Sequence, residues 1–547
     1  MSTPPLTRLI PRRVAVGAAL AVAALGVAAG TSTSTAAVPS TVPPVLQKNG
    51  SMVTADALPT AQVDGIVWTQ AIAGNRVFAG GKFATARPAG VLKSGTGSVT
   101  RQNLMAYDIR TGKMTSFAPA LNGEVRALAL SPDKSVLYVG GAFTKVGSTT
   151  RLRFAAFDVA TGRLLKYTLP LNGQVNAITT IKSTVYLGGD FSAVGATPRL
   201  RLAAVNVALN KLTTWRPEAT NSVKALVGSP DGTKVIVGGQ FGSMNGQTNR
   251  GMAAVTAGVG ALRPWKINTQ VKSYGARAAV TSLAVDKDTV YGSTYGWESG
   301  NFEGVFAASP TDGSIKWLQD CHGDQYGVAP VGDHVYSVGH AHFCTNIGGF
   351  HEVSPQRTLV VTKAARGTVA TNTQPGVSYA NWAGQKAPAI YNWFPELNAG
   401  TVSGQNQAAW SVQANSRYTV LGGEFTEVNG RRQQGLVRFT TPANGAPTNV
   451  GPWVTGSGAA PRLDVAADGL RVGWTANYDY DDQTLHYAVL RDGKVIGQVS
   501  RKSNFWNRPW LSFLDKNAVR GRTYSYAIRV QDADGNIRTS TAVQARR

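Results

Sequence analysis

Residues 184–207, TVYLGGDFSAVGATPRLRLAAVNV, contain the unit that the chain repeats. An apolar strand ends in Gly188-Gly189-Asp190-Phe191, a polar loop bearing arginines follows, and LAAVN from Leu202 reads as the next strand. The Gly-Gly-x-Phe-like element returns at 80–83, 140–143, 238–241 and 422–425, and degenerate copies at 292–295 and 339–343 fall where the spacing requires them. The intervals between their aromatic residues are 60, 48, 50, 54, 48 and 82, a period near that of four-stranded propeller blades.

Outward from this element, each unit continues in the same way. LMAYD from Leu104, FAAFD from Phe154 and MAAVT from Met252 match LAAVN, turns such as Thr111-Gly112 follow, and connectors such as LNGEV from Leu121 or LNGQV from Leu171 open the next unit. Alternating apolar residues punctuated by Gly, Asn, Asp and Pro, with 61 glycines in 547 residues, describe an all-β chain. Four strands per unit and seven units imply a seven-bladed β-propeller over residues 50–441, an architecture with few free sheet edges. The last unit, from about Ala408 to Phe439, supplies only three strands. The segment 52–67 aligns with 114–128, so residues near 50–58 are expected to provide the outer strand of that last blade.

The repeats, seen well in LGGEFTEVNGRRQQGLVRF from Leu421 to Phe439, resemble the delta-60-type β-propeller repeats of unknown function in exported bacterial proteins. Gly, Pro, Ala and Thr then mark 442–458 as a linker. Residues 459–547, with LRVGWTA around Trp474, HYAVLRDGKVIGQV around Tyr487 and GRTYSYAIRVQDADGN around Tyr524, resemble a fibronectin type III domain. That resemblance implies a β-sandwich with Trp474 in its core and Tyr524 at a tyrosine corner. Asp532, Asp534 and Gly535 read as a hairpin turn rather than a calcium loop. These resemblances imply folds, not a reaction.

Arg8, Arg12 and Arg13, the apolar run 14–29 and small residues ending at Ala37 resemble an export signal over residues 1–37, of Sec or twin-arginine type. The apolar run is too short to span a bilayer, so no transmembrane anchor is expected. Removing three cations from a net charge of +24 leaves 24 − 3 = +21 on the mature chain. A secreted, extracellular or cell-wall-associated protein of this charge is drawn to polyanions, and a polysaccharide or anionic cell-wall polymer is the expected partner rather than nucleic acid. The plainer reading of the charge is solubility and loose surface retention.

The two cysteines, Cys321 and Cys344, are expected to pair in an exported chain. Five of the six histidines lie between 322 and 351. His340 and His342, two apart on a strand, can offer imidazoles to one divalent ion, joined by His322 or Asp324. Their spacing matches no established zinc pattern, and the first reading is that they bond loops around the disulfide, with no cofactor assigned. Two long interruptions, 295–304 and 344–390, are expected on the same face as the histidines, where elaborated loops usually carry binding sites. Trp297, Asn301, Phe302, Glu303, Trp382 and Trp393 are candidates to wall a pocket, although Asn301 and Glu303 also suit loop capping and Trp393 also suits the core. Glu303 with Glu298 or Asp324 is the candidate glycosidase pair. Arg151, Arg153, Arg199, Arg201, Arg250, Arg431 and Arg432 form either a basic rim on that face or hydrogen-bond donors between blades. The expected function is recognition of a carbohydrate or polyanionic ligand on one propeller face. A carbohydrate-active hydrolase or lyase and a purely structural envelope protein are the alternatives.

Overall fold

The Gly-Gly pairs account for how the sheets form and how they stack. The computed structural model describes residues 41–296, 299–374 and 379–547, so the export signal expected over 1–37 lies outside the described residues. Between Ile66 and Thr440, among these residues, seven sheets of three or four antiparallel strands follow one another. Their inner strands are Ile66–Ala73, Val125–Leu130, Val175–Ile181, Val223–Gly228, Ala278–Val285, Gln325–Val331 and Ala409–Ala414. Each inner strand packs on the next, and Ala409–Ala414 packs back on Ile66–Ala73, so the order is cyclic.

Within a pair, the first glycine faces the following sheet. A Cβ on Gly140 would stand 2.5 Å from Val175 Cγ1, on Gly188 2.4 Å from Val223 Cγ1, and on Gly238 2.7 Å from Val280 Cγ1. The second glycine lies over its own inner strand, where a Cβ on Gly141 would stand 2.1 Å from the Glu124 carbonyl oxygen. In these sheets a side chain would force the backbones apart at both places, which is why these copies retain glycine there. The backbone needs that closeness because every inner strand carries a one-residue bulge opposite the pair, as between Val125 and Ala127 or Val175 and Ala177. A bulge leaves one residue out of the ladder and re-aims its side chain.

The two degenerate copies sit one or more residues from where the motif alone placed them. In the fifth sheet Ser293 and Thr294 occupy the glycine positions, and in the sixth Val338 and Gly339 do. Gly296 and Ala341 therefore stand where the other sheets have phenylalanine, and Tyr295 and His340 fill the position between. The missing glycine of the sixth sheet is replaced from the other side of the ladder, since a Cβ on Gly327 would stand 3.0 Å from Val338 Cγ2.

Residues 54–58 run along the free edge of strand Leu436–Thr440. Thr54 N donates to Thr440 O at 3.0 Å and Leu58 N to Arg438 O at 2.9 Å. The buried Arg438 guanidinium then donates to the carbonyls of Ile109, Arg110 and Pro59, all at 2.9 Å, and so joins the last sheet to the first.

Beyond residue 461, two antiparallel sheets enclose a core containing Trp474, Tyr487, Tyr526 and Ile528. The Tyr524 hydroxyl accepts Val519 N at 3.0 Å, tying its strand to the chain upstream. Residues 442–458 are held on both sides: Asp56 Oδ1 accepts the N–H groups of Asn449 and Val450, each at 2.9 Å, and Trp453 N donates to Tyr478 O at 2.9 Å. Among the described residues no helix is long and apolar enough to cross a membrane.

Candidate functional site at the channel mouth

The seven bulged residues are Trp68, Arg126, Asn176, Lys224, Thr281, Tyr326 and Trp410, and all of them line the central channel where it opens. The mouth is a cavity of about 550 Å³, also lined by Tyr295, Asp324 and Arg277, a size suited to a ligand of a few rings. One repeat position thus supplies every member of the ring, and the chain varies its chemistry while keeping its backbone.

The ring is divided into two arcs. Tyr326 and Trp410 have ring centroids 4.4 Å apart, Trp410 and Trp68 meet edge to face at 4.9 Å, and the Arg126 guanidinium lies 4.1 Å over Trp68. Such aromatic and cation–π contacts contribute about 0.5–1.5 kcal/mol each and hold the surface rigid. Trp68 Nε1 donates to Glu124 Oε2 at 3.1 Å and Trp410 Nε1 to Glu424 Oε1 at 3.0 Å, which fixes both indoles. Around the other arc stand Arg126, Asn176 and Lys224. Burial lowers the Lys224 pKa, opposed by Asp190 and reinforced by Arg126, so an anion entering here would find two cations close enough to disfavour one another.

Above the bulge ring lies a second tier, the residue between the second glycine and the phenylalanine of each repeat. Lys82, Ala142, Asp190, Gln240, Tyr295, His340 and Glu424 occupy it, and Gln240 Nε2 donates to the Tyr295 hydroxyl at 3.0 Å. Asp324 accepts the Tyr326 hydroxyl at 2.7 Å and brings a carboxylate to the mouth.

The residues expected from sequence therefore separate. Asp324 and His340 reach the mouth and its second tier, where His340 Nδ1 meets Gln407 Nε2 at 2.7 Å and its pKa is lowered chiefly by burial. His342 turns to Glu352, with Nδ1 2.9 Å from Oε1. His322 is buried behind the mouth, stacked on Tyr379 at 3.7 Å; Gln374 Oε1 contacts Nδ1 and Asn346 Nδ2 lies 3.2 Å from Nε2. Burial takes its pKa down to about 4, so it is neutral at physiological pH. The carboxylate and imidazole donor atoms of the described residues converge elsewhere, at Asp479, Asp481 and Asp482. Cys321 and Cys344 form a disulfide, which fits an oxidising compartment.

Glu303 lies beneath the mouth, 5% exposed, with Oε2 accepting Gly323 N at 2.9 Å. Burial first, and then Asp324, push its pKa up to about 7. Asn301 caps its loop, accepting Lys272 N at 2.7 Å and donating to Gln270 O at 2.8 Å. Trp297 and Glu298 lie outside the described residues. Trp382 packs on Phe302 and Trp393 is fully buried. Of the arginines, Arg151 and Arg199 donate to carbonyls at Leu165 and Thr213, and Arg153 and Arg201 to those of Ala142 and Asp190, so these four are hydrogen-bond donors within the repeat. The bulge ring escaped sequence reasoning, although its signal is present: Val125-Arg126-Ala127, Val175-Asn176-Ala177 and Val223-Lys224-Ala225 each place one polar residue in an apolar strand at the same register.

Residues 104–240, about a quarter of the chain, match the family described as the Rax2 C-terminal beta propeller domain. No curated protein matches the chain. Among solved structures it is similar to the RRP9 WD40 repeats, at 11% identity over 71% of this chain and 99% of that one, with a TM-score of 0.38. A chain of a mitotic checkpoint complex gives 11% identity, 73% and 99% coverage and a TM-score of 0.40. The Cps50 (Swd1) beta-propeller domain of Myceliophteria thermophila gives 10% identity, 71% and 99% coverage and a TM-score of 0.39. The family match and the cyclic packing of the sheets make the body of this chain a β-propeller.

Proposed function

We propose that the chain is an exported recognition protein of the delta-60-like bacterial kind, a seven-bladed β-propeller with a fibronectin type III-like module, that binds an anionic carbohydrate or cell-wall polymer at the channel mouth. The observation that carries this reading is the two-arc ring. Tyr326, Trp410 and Trp68 offer contiguous aromatic faces for the apolar faces of sugar rings, and Arg126 and Lys224 stand beside them for carboxylate or phosphate groups. The net charge of +21 expected for the mature chain, 24 − 3, favours encounter with such a polymer. The β-propeller itself is a scaffold for interaction, and its fold leaves the ligand to be decided by the site.

A second reading, a glycan hydrolase, draws on Glu303, whose raised pKa beside Asp324 is the pattern of an acid and its partner. Against it, Glu303 is absent from the cavity lining and its carboxylate holds Gly323 N. An array of neutral, uronic-acid and phosphate-bearing glycans, scored for binding and for released product, separates the two. Binding without product supports recognition, product supports hydrolysis, and neither leaves a structural envelope role.

A further inference from the structure

The loop 479–482 gathers three buried carboxyl groups around one cation. Asp479, Asp481 and Asp482 are 2%, 1% and 3% exposed, and one carboxylate oxygen of each lies within 4.8 Å of one from each of the others. Lys48 is the cation paired with them among the described ion pairs, 2.9 Å from Asp481 Oδ2 and 3.3 Å from Asp482 Oδ1, and it also reaches the more exposed Asp534 at 3.4 Å. One ammonium therefore faces three buried carboxylates and a fourth at the rim.

Hydrogen bonds do not make up the difference. Asp481 Oδ2 accepts Ala55 N at 2.7 Å, Asp482 Oδ1 accepts Gln47 Nε2 at 3.0 Å, and Asp479 Oδ1 accepts the N–H groups of Asp481 and Asp482. Asp479 Oδ2 and Asp482 Oδ2 are buried and meet no donor among the described residues. From a different part of the chain, the fully buried Asn392 lies against this loop, its Nδ2 3.4 Å from Asp479 O, and its Oδ1 also meets no donor. Unpaired buried oxygens of this kind carry a desolvation penalty unless something positive sits among them.

We infer that Asp479, Asp481 and Asp482 form a calcium site, beside the buried and unpartnered Asn392, that joins the N-terminal segment 47–56, the connector at 392 and the C-terminal module. The donor set is all carboxylate oxygen, which suits a hard cation, and its irregular arrangement on a loop suits calcium over the strict octahedron of magnesium. Asp481 and Asp482 already hold Ala55 and Gln47 of the N-terminal segment, so the ion would stiffen the junction at which that segment meets the module.

The test is calorimetric titration of calcium chloride into the chelator-treated full chain, with thermal unfolding in calcium, in magnesium and in EDTA. The expected result is one equivalent of calcium bound with a Kd no weaker than about 10⁻³ M, and a melting temperature at least about 2 °C higher in calcium than in EDTA or equal magnesium. Asp479→Asn and Asp482→Asn keep the Oδ1 acceptors and are expected to weaken binding at least about tenfold. No heat and no melting shift in the wild type overturn the site, as does unchanged binding in both variants. Should either variant fail to fold, the wild-type titration alone decides.

Discussion

Gly422 of the last propeller sheet and Val67 of the first are so closely packed that a Cβ on the glycine would stand 2.6 Å from Val67 Cγ1. The same contact joins Gly140 to Val175 and Gly188 to Val223, so the junction between the two ends of the ring is built like the junctions within it. Overpacking of this kind costs about 1–3 kcal/mol, and we expect Gly422→Ala to lower stability by that amount. Combined with Val67→Ala, the loss should fall short of the sum of the single losses by at least about 0.5 kcal/mol, because the second change removes the methyl group that the first one strikes. Urea denaturation of the four proteins measures this coupling, and strict additivity would mean that the two residues do not meet.

The Cys321–Cys344 bridge closes a separation of 23 residues between the connector leading into the sixth sheet and the strand end beside the mouth. Replacing both cysteines with alanine is expected to cost about 2–4 kcal/mol, chiefly by freeing the unfolded chain. Denatured, unreduced protein should show no titratable thiol, and two after reduction. Two thiols before reduction would rule the bridge out.

Glu303 gives a pH signature. Its folded pKa, about 7, stands above the unfolded value, so its contribution to stability is fully present at low pH and is lost as pH rises through 7. His322 has the opposite sign: its folded pKa of about 4 is below the unfolded value, and its contribution is lost as pH falls from the unfolded range towards 4. Glu303→Gln should therefore gain stability relative to wild type between pH 5 and pH 8, on the order of 1–3 kcal/mol, as the wild type acquires a buried charge that the variant lacks. Denaturation midpoints at the two pH values check this. A constant difference would place the Glu303 carboxylate in water.

The sequence carried the scaffold because Gly-Gly-x-Phe is a packing constraint, and packing constraints repeat. It misplaced the two degenerate copies because Ser293, Thr294 and Val338 hold glycine positions without glycine, Val338 with help from Gly327 on the partner strand. Within the segment 52–67, Thr54 and Leu58 donate to the carbonyls of Thr440 and Arg438. The site was only partly legible. Histidine density drew attention to His322 and His342, yet their ring nitrogens face Gln374, Asn346 and Glu352. Trp68, Arg126 and Trp410 are far apart in sequence and share only a register, which became visible once the bulges were aligned.

Binding of an anionic carbohydrate by the bulge ring is tested most directly by the affinity of the strongest array ligand for wild type, Trp410→Ala and Arg126→Ala, with circular dichroism confirming that each variant is folded. At least about a tenfold loss is expected in each variant, as for a central aromatic or arginine contact, with weaker wild-type binding as salt is raised. Undiminished affinity in both folded variants would contradict it.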